Sequence, residues 1–239
     1  MTTSTLSIRS LADGKNPNSF SNRARTRRFA QFEALAARLP RPLRILDVGG
    51  TNEFWENRGW AGRRDVHISS LNLEAHEQRH DNILALAGDA TDLSRYAAGS
   101  FDIVFSNSVI EHLFTLEQQR RMAAEVQRVG KSYWVQTPNF WFPMEPHFHI
   151  PGWQWMPLDL RVSIIRRWRC GWRGPCPDPK RARDLVSEVR LMSQRELKSA
   201  FPGANVVAER FCGLVKSWIV IGGFPLKTLH ADLPTEPRN

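Results

Sequence analysis

The residues best suited to acid–base chemistry fall in two short segments of the chain. Glu145, His147 and His149 alternate in one segment, and His112 stands alone in the other. A histidine is the usual general base near neutral pH, and residues two apart share one face of an extended chain. The spacing therefore predicts a base with its orienting carboxylate, with half of a metal site as the alternative.

Each of these histidines could also have a structural role instead of a catalytic one, and the sequence leaves both roles open. His112 stands at the start of a predicted helix, where packing beside a bound ligand would explain it. His147 and His149 can instead fix a proline-rich loop. The three cysteines are too few and too unevenly placed for a disulfide framework, zinc is disfavoured, and we predict no metal centre.

A second set of residues falls where predicted strands end. Apolar, β-branched runs predict buried parallel strands at residues 43–48, 66–71, 82–86 and 101–105. Parallel sheets bind ligands outside the carboxyl ends of their strands, near the point where strand order reverses. The candidate binding residues at these ends are Asp47, Gly49, Gly50, Thr51, Asn72, Glu74, Asp89, Ala90 and Asn107.

Strands and helices are expected to alternate along most of the chain. Apolar periodicity and a capping-box pattern predict helices over residues 23–39, 108–129 and 193–201. Further strands are predicted at 132–137, 206–211 and 217–221, the last two as an antiparallel hairpin at the sheet edge. This order predicts an α/β fold with a mostly parallel sheet and helices on both faces.

The chain is predicted to form one domain with an insertion. Residues 1–22 form a flexible N-terminal arm, residues 23–226 the domain, and residues 227–239 a polar tail. The alternation breaks over residues 139–192, which hold five of the nine tryptophans and seven prolines. We therefore expect an insertion on the substrate side of the domain.

Composition excludes several classes of protein. With 239 residues, 41% of them hydrophobic and 24% charged, the chain can bury a core, which excludes intrinsic disorder, collagen and coiled-coil arrays. No stretch reaches the roughly 18 apolar residues of a membrane span, and the first residues lack the apolar region of a secretory signal. We therefore expect a cytoplasmic protein.

Positive charge is concentrated in two regions. Residues 161–183 contribute +7 and residues 1–41 contribute +6 to a net charge of +9, so the rest of the chain carries −4. This acidic body disfavours nucleic acid as a partner. Aromatic rings suit a flat or apolar acceptor, and the arginines after them suit an anionic group on that acceptor. Alternatively, the rings form a small satellite core and the arginines are ordinary solvated surface. The rings concerned are Trp141, Phe142, Phe148, Trp153 and Trp155.

Four ordered motifs resemble those of the class I S-adenosylmethionine-dependent methyltransferases, and more closely their small-molecule, type 11 group. They read ILDVGGTNEFW, GDATDL, FDIVFSNSVIEHL and YWVQTPNFWFP. The resemblance covers about residues 43–139 in order and spacing. It implies a Rossmann-like seven-stranded sheet with an antiparallel last strand, and S-adenosyl-L-methionine as the cofactor.

The same resemblance implies a role for each strand end. The amino-acid part and ribose of the cofactor would be held by Asp47, Gly49, Gly50 and Thr51. Asp89 and Ala90 would hold the adenine, and Asn107 the methionine side.

The chain departs from the family pattern at two strand ends. Thr51 and Glu53 stand where family members have glycines, and Asn72 stands where they have an acid. Asn72 or Glu74 would then bond the ribose hydroxyls.

Three functions are compatible with these features. The preferred one is methylation of a small or lipid-like acceptor, most readily at oxygen, with His147, His149, Glu145 and His112 as the catalytic candidates. The second is a non-methylating enzyme that cyclises part of the cofactor and releases methylthioadenosine. The third is a basic module that binds polyanions or membranes. Peripheral membrane contact and a homodimer stay open.

The predicted first helix carries aromatic and basic residues. They are Phe20, Arg25, Arg27 and Arg28. We expect this helix to fold over the mouth of the site as a lid.

Overall fold

The computed structural model describes residues 20–225 and the side chains from Ala24 onward. Most of the predicted arm and the whole of the predicted tail lie outside these residues. The chain divides into two compact units, one of residues 1–40 and 225–239 and one of residues 41–224. Because helix α1 (Phe20–Ala36) falls in the first unit, both its role as a lid and the domain boundary at residue 23 stay predictions.

A seven-stranded sheet forms the centre of the second unit. Its strands are β1 (Leu43–Val48), β2 (Val66–Asn72), β3 (Ile83–Ala87), β4 (Phe101–Asn107), β5 (Gly130–Pro138), β6 (Asn205–Phe211) and β7 (Leu214–Gly222). Their spatial order is β3-β2-β1-β4-β5-β7-β6. Strands β1 to β5 are parallel, and β7 lies antiparallel between β5 and β6. The predicted fold class and the closing hairpin are confirmed.

The strand order fixes the place of the ligand site. The chain passes from β1 outward to β2 and β3, and then returns to pair β4 with the other side of β1. Val48 lies opposite Ser106 in this pairing, so the carboxyl ends of β1 and β4 are neighbours. A cleft forms at such a reversal, because the connections on its two sides leave in opposite directions.

Within residues 20–225, five further α-helices lie between the strands along the chain. They are α2 (Asn52–Glu56), α3 (Leu116–Val129), α4 (Leu158–Arg167), α5 (Pro179–Ser187) and α6 (Gln194–Ala200). Ser193 caps α6 in a complete capping box with Glu196, as predicted. Among the described residues, no helix has the length and apolarity that a bilayer span requires.

The predicted helix over residues 108–129 is wrong in its first two turns. Ser108 has a φ of 59°, in the left-handed region, and residues Ile110–His112 form a short 3₁₀ turn. Helix α3 begins only at Leu116, where Thr115 accepts a hydrogen bond from Gln118 N. The apolar spacing continues through the irregular turn because that turn is also buried.

The insertion after β5 returns to its starting point. Asn139 and Met192 form a parallel bridge, so the segment leaves and rejoins the sheet at one place. Helices α4 and α5 lie within it and enclose a small core of their own. Members of this satellite core include Phe148, Trp153, Val162, Ile165, Cys170 and Val186.

Candidate functional site

The glycine turn after β1 leaves no room for a side chain. Gly49 has a φ of 78°, and a Cβ there would come within 2.3 Å of Val109 Cγ2. A Cβ on Gly50 would come within 1.5 Å of Asp47 Oδ2. Both positions therefore require glycine.

Asp47 supports this turn from inside the sheet. Its side chain is buried, and Oδ2 accepts a hydrogen bond from Trp55 Nε1 at 2.6 Å. Burial raises the pKa of Asp47 to about 7, against the opposing effect of the Trp55 hydrogen bond. Asp47 therefore positions the turn, and its direct contact with the cofactor stays a prediction.

We expect the burial of Asp47 to make stability depend on pH. In the unfolded chain the carboxyl ionises near its ordinary pKa of 3.8, but in the folded protein it holds its proton up to about pH 7. The unfolded state binds fewer protons in this window, so the free energy of unfolding falls as the pH rises from about 4 to about 7. At about 1.4 kcal/mol per pKa unit, the loss is on the order of a few kcal/mol.

Urea unfolding at about pH 5 and pH 7 measures this loss. The Asp47→Asn variant keeps an acceptor for Trp55 but has no proton to lose, so its stability should fall less between the two pH values. Equal losses in the two proteins would contradict the raised pKa of Asp47.

The departures from the family pattern stabilise the same turn. Asn72 Nδ2 donates to Gly50 O at 3.0 Å, and Ser70 Oγ donates to that carbonyl at 3.1 Å. Thr51 caps helix α2 by accepting a hydrogen bond from Phe54 N. Side chains therefore hold a turn in which the family uses further glycines.

The other predicted cofactor residues stand along the same edge of the sheet. Asp89 is exposed after β3, and its Oδ1 accepts hydrogen bonds from Thr91 N and Oγ1, both at 2.8 Å. Its Oδ2 is the oxygen available to a ligand. Ala90 packs against the core, Asn107 ends β4, and Glu74 is exposed in the loop after β2.

A group of titratable residues lies just past the glycine turn. Val109, which lies against Gly49, leads into the 3₁₀ turn that carries His112. The ring of His112 meets the ring of His147 edge-on, with 4.9 Å between their centroids. Burial, and then the charges of His147 and Arg173, lower the pKa of His112 to about 4, so His112 is neutral at pH 7.

Glu145 holds His147 in place. The carboxylate of Glu145 is buried, and its Oε2 accepts hydrogen bonds from the backbone N–H groups of His147 and Phe148 at 2.7 and 2.6 Å. Its Oε1 lies 2.6 Å from His147 Nδ1. This fixes the ring and leaves Nε2 as the nitrogen available to a substrate or ligand.

His149 lies apart from this pair, because the segment is a turn and not extended chain. Its N–H donates to Glu145 O at 2.9 Å, and its φ is 53°. The His149 ring packs edge-on against Trp172 at 5.5 Å between centroids. The shared face expected of His147 and His149 in an extended chain is therefore not formed.

Glu111 completes the group and was missed by the sequence interpretation. It is fully buried, and its Oε2 accepts a hydrogen bond from Thr137 Oγ1 at 2.9 Å. Burial raises the pKa of Glu111 to about 7. One ligand atom each from Glu111, His112 and His147 lie within 4.8 Å of one another. We call Glu111, His112, Glu145 and His147 the histidine cluster.

The aromatic residues of the insertion divide between a core and a surface. Phe148 and Trp153 stack at 4.4 Å between ring centroids inside the satellite core. Trp141 and Trp155 are 64% and 47% exposed and lie 6.4 Å apart. The satellite-core interpretation is confirmed for Phe148 and Trp153, whereas acceptor binding by Trp141 and Trp155 stays a prediction.

The arginines of the insertion also divide. Arg173 pairs with Glu188, and its guanidinium lies over the ring of Phe148 at 5.6 Å. Arg166 and Arg167 are exposed and donate to oxygens of Pro177 and Ser163 at the surface. Part of the basic segment thus stabilises the insertion, and part is presented to solvent.

Comparison with known families completes the description of the site. A family model described as a methyltransferase domain matches residues 49–133. The matched segment begins at the glycine turn and includes Asn72, Asp89 and His112. Over these residues the chain is similar to methyltransferase domains.

Curated relatives and solved structures are also similar to the methyltransferase domain. Two uncharacterized proteins of Mycobacterium tuberculosis, MT1557 and Rv1509, are each 32% identical over 139 residues, covering 54% of this chain and 47% of the relative. The chain therefore spans about half the length of the curated relatives it matches.

Among solved structures, a methyltransferase from Aquifex aeolicus is 12% identical, with coverage of 81% of this chain and 87% of that chain and a TM-score of 0.45. The N-terminal domain of EvdMO1, solved with S-adenosylhomocysteine and D-fucose, is 18% identical, with coverage of 84% and 81% and a TM-score of 0.47.

Proposed function

We propose that the protein methylates an oxygen atom of a small or lipid-like acceptor that carries an anionic group. The observation that carries this proposal is the position of the histidine cluster, whose first member, Glu111, follows two residues after Val109, the side chain that lies against Gly49. A nucleophile held at the cluster would therefore lie beside the cofactor turn. Placing the two reactants in line is the main task of the protein in a displacement reaction.

The residues present fit the cofactor. The turn at Gly49 and Gly50 follows β1 and its Gly49 is exposed, while Asn72 retains an amide oxygen for a ribose hydroxyl. Asp89 has Oδ2 available for the exocyclic amine of adenine. When bound, S-adenosylmethionine supplies an electrophilic methyl group on a sulfonium.

His147 is the proposed proton acceptor for the hydroxyl of the acceptor. Its Nδ1 is bonded to the buried Glu145, so Nε2 is the nitrogen that receives the proton. The carboxylate then stabilises the resulting imidazolium. His112 is less suited to this task, because burial holds its pKa at about 4.

The surface of the insertion supports the proposed acceptor class. Four tryptophans are exposed there: Trp141, Trp155, Trp168 and Trp172. Three arginines are exposed near them in sequence: Arg166, Arg167 and Arg169. Rings bind an apolar body, and guanidinium groups bind carboxylate or phosphate.

A product assay tests the proposal. The full chain is incubated with S-adenosylmethionine and a panel of hydroxylated amphiphiles that carry a carboxylate or a phosphate, with uncharged analogues as controls. We expect S-adenosylhomocysteine and a methylated anionic acceptor. Methylthioadenosine formed without acceptor would favour cyclisation, and no turnover with salt-dependent vesicle binding would favour the membrane-binding function.

Asp89→Ala is expected to weaken S-adenosylhomocysteine binding by tenfold or more in titration calorimetry. The variant removes the proposed partner of the adenine amine, and a lost charge-assisted hydrogen bond is worth about 1.4 kcal/mol or more. Asp89→Asn should behave similarly, although its amide oxygen can keep the bonds to Thr91.

Asp92→Ala provides the matched control for Asp89. Asp92 is an exposed carboxylate three residues along the same loop, and it accepts a hydrogen bond from Ser94 N. Its replacement should leave cofactor affinity unchanged. Wild-type affinity in both Asp89 variants would show that the adenine is not bound at Asp89.

A further inference from the structure

We propose that Glu111, His112 and His147 bind one divalent transition-metal ion. Their ligand atoms lie within 4.8 Å of one another across two segments of the chain. Ligands about 2.1 Å from a common ion lie up to about 4.2 Å apart, so small side-chain rotations would close the triad around an ion. Two imidazoles and one carboxylate are a ligand set that zinc and iron enzymes use with further positions open.

The buried oxygen of Glu111 points to a missing ligand. Oε2 is bonded to Thr137, whereas Oε1 is buried and accepts no hydrogen bond of normal geometry among the described residues; the Ser108 hydroxyl, which also acts on this carboxyl, donates to Gln136 Oε1. A buried carboxylate oxygen without a partner is costly, because its interaction with water is lost and not replaced. A metal ion between Oε1 and the two rings would supply this interaction.

The surroundings of His147 resemble the outer shell of a metal site. Metal-ligating histidines usually donate their second ring N–H to a carboxylate, which fixes both the tautomer and the ring orientation. Glu145 stands in that position, 2.6 Å from Nδ1, and two backbone N–H groups hold it in place. Thr137 plays the same part for Glu111.

Neighbouring charge is compatible with a cation at this place. Arg173 acts electrostatically on His112, but its guanidinium is paired with Glu188 and also donates to Leu185 O. Glu145 and Glu111 contribute two carboxyl groups to the cluster. The two carboxyl groups would therefore offset the positive charge of the ion, while the charge of Arg173 is already offset by Glu188.

The role of the ion rests on the proposed function. A hydroxyl bound to a divalent ion loses its proton more readily. With the ion in place, His147 would be a ligand and not the base, and the hydroxyl bound to the ion would release its proton to solvent water. Methyl transfer would then depend on the metal.

Metal titration of the tag-free full chain tests the site directly. After dialysis against a chelator, the protein is titrated with Co²⁺ by visible absorption and with Zn²⁺ by calorimetry. We expect one equivalent to bind, with the absorption bands of coordinated Co²⁺. His147→Ala and Glu111→Gln should each weaken binding by about 100-fold, and Glu145→Gln by about 10- to 100-fold.

Two controls keep the result interpretable. His67→Ala removes an exposed histidine of β2 and should bind the metal as the wild type does. Circular dichroism and thermal unfolding identify any variant that fails to fold, and Glu111→Gln keeps the size of the side chain. No saturable binding to the wild type, or equal affinity in wild type and folded His147→Ala, would overturn the metal site.

The metal site and the proposed function can fail separately. Methyl transfer that persists in excess chelator, without saturable Co²⁺ binding, would overturn the metal site and leave His147 as the base. One-equivalent binding that the cluster variants weaken, without methyl transfer to any acceptor, would establish the metal site and overturn the proposed function.

Discussion

Replacing His147 by alanine is expected to lower the rate of methyl transfer by about 10²- to 10⁴-fold, while cofactor affinity stays within a factor of about two. The residue lies in the histidine cluster beyond the glycine turn, so its loss affects the acceptor and not the cofactor. Single-turnover rates at saturating cofactor, together with calorimetric binding of S-adenosylhomocysteine, separate these two effects.

His149→Ala gives the informative comparison with His147→Ala. The two residues are neighbours in one turn, but the His149 ring packs against Trp172 and has no bond to the Glu145 carboxylate among the contacts described. We expect a far smaller loss of rate in His149→Ala. The same loss in both variants would mean that the turn, and not the His147 ring, is what catalysis requires.

Gly50→Ala is expected to weaken cofactor binding by at least about 100-fold. The added Cβ would lie 1.5 Å from Asp47 Oδ2, and the carboxylate cannot easily move because it is buried against Trp55. The turn backbone must therefore shift away from the position that receives the ligand. Calorimetric titration with S-adenosylhomocysteine measures the loss.

Gly203→Ala controls for the general effect of adding a methyl group to a turn. Gly203 has a φ of 77°, and a Cβ there would meet no atom within 4 Å. Its replacement should cost about 1 kcal/mol of stability from backbone strain without changing cofactor affinity. If Gly50→Ala binds the cofactor as the wild type does, the turn at Gly50 is not the contact surface that we describe.

Local patterns were sufficient to predict most of the sheet. Buried parallel strands appear as short β-branched runs, and the polar residues that interrupt them stand at the strand ends where ligands bind. Asp89 and Asn107 could therefore be placed at the correct edge of the sheet before any contact was known. The predicted helix from Ser108 failed because apolar spacing does not distinguish a buried irregular turn from a helix.

The histidine cluster could be predicted only in part. The proximity of Glu145 and His147 follows from their spacing, although a turn brings them together and not an extended strand. Glu111 gave little signal, because an acid beside a histidine in a predicted helix is ordinarily a solvated residue. Its buried carboxyl accepts a hydrogen bond from Thr137, which lies on strand β5 and is distant in sequence.

The sequence by itself determined the fold class, the glycine turn and the strand ends at which we propose the cofactor binds, since these depend on periodicity and on residues adjacent in the chain. The tertiary structure alone decided that His112 meets His147. Pairing of β4 with β5 places Asn107 opposite Gln136, and so carries two distant segments to one edge of the sheet. The tertiary structure also decided which tryptophans are buried and which are exposed, because burial depends on contacts between segments that are separated in sequence.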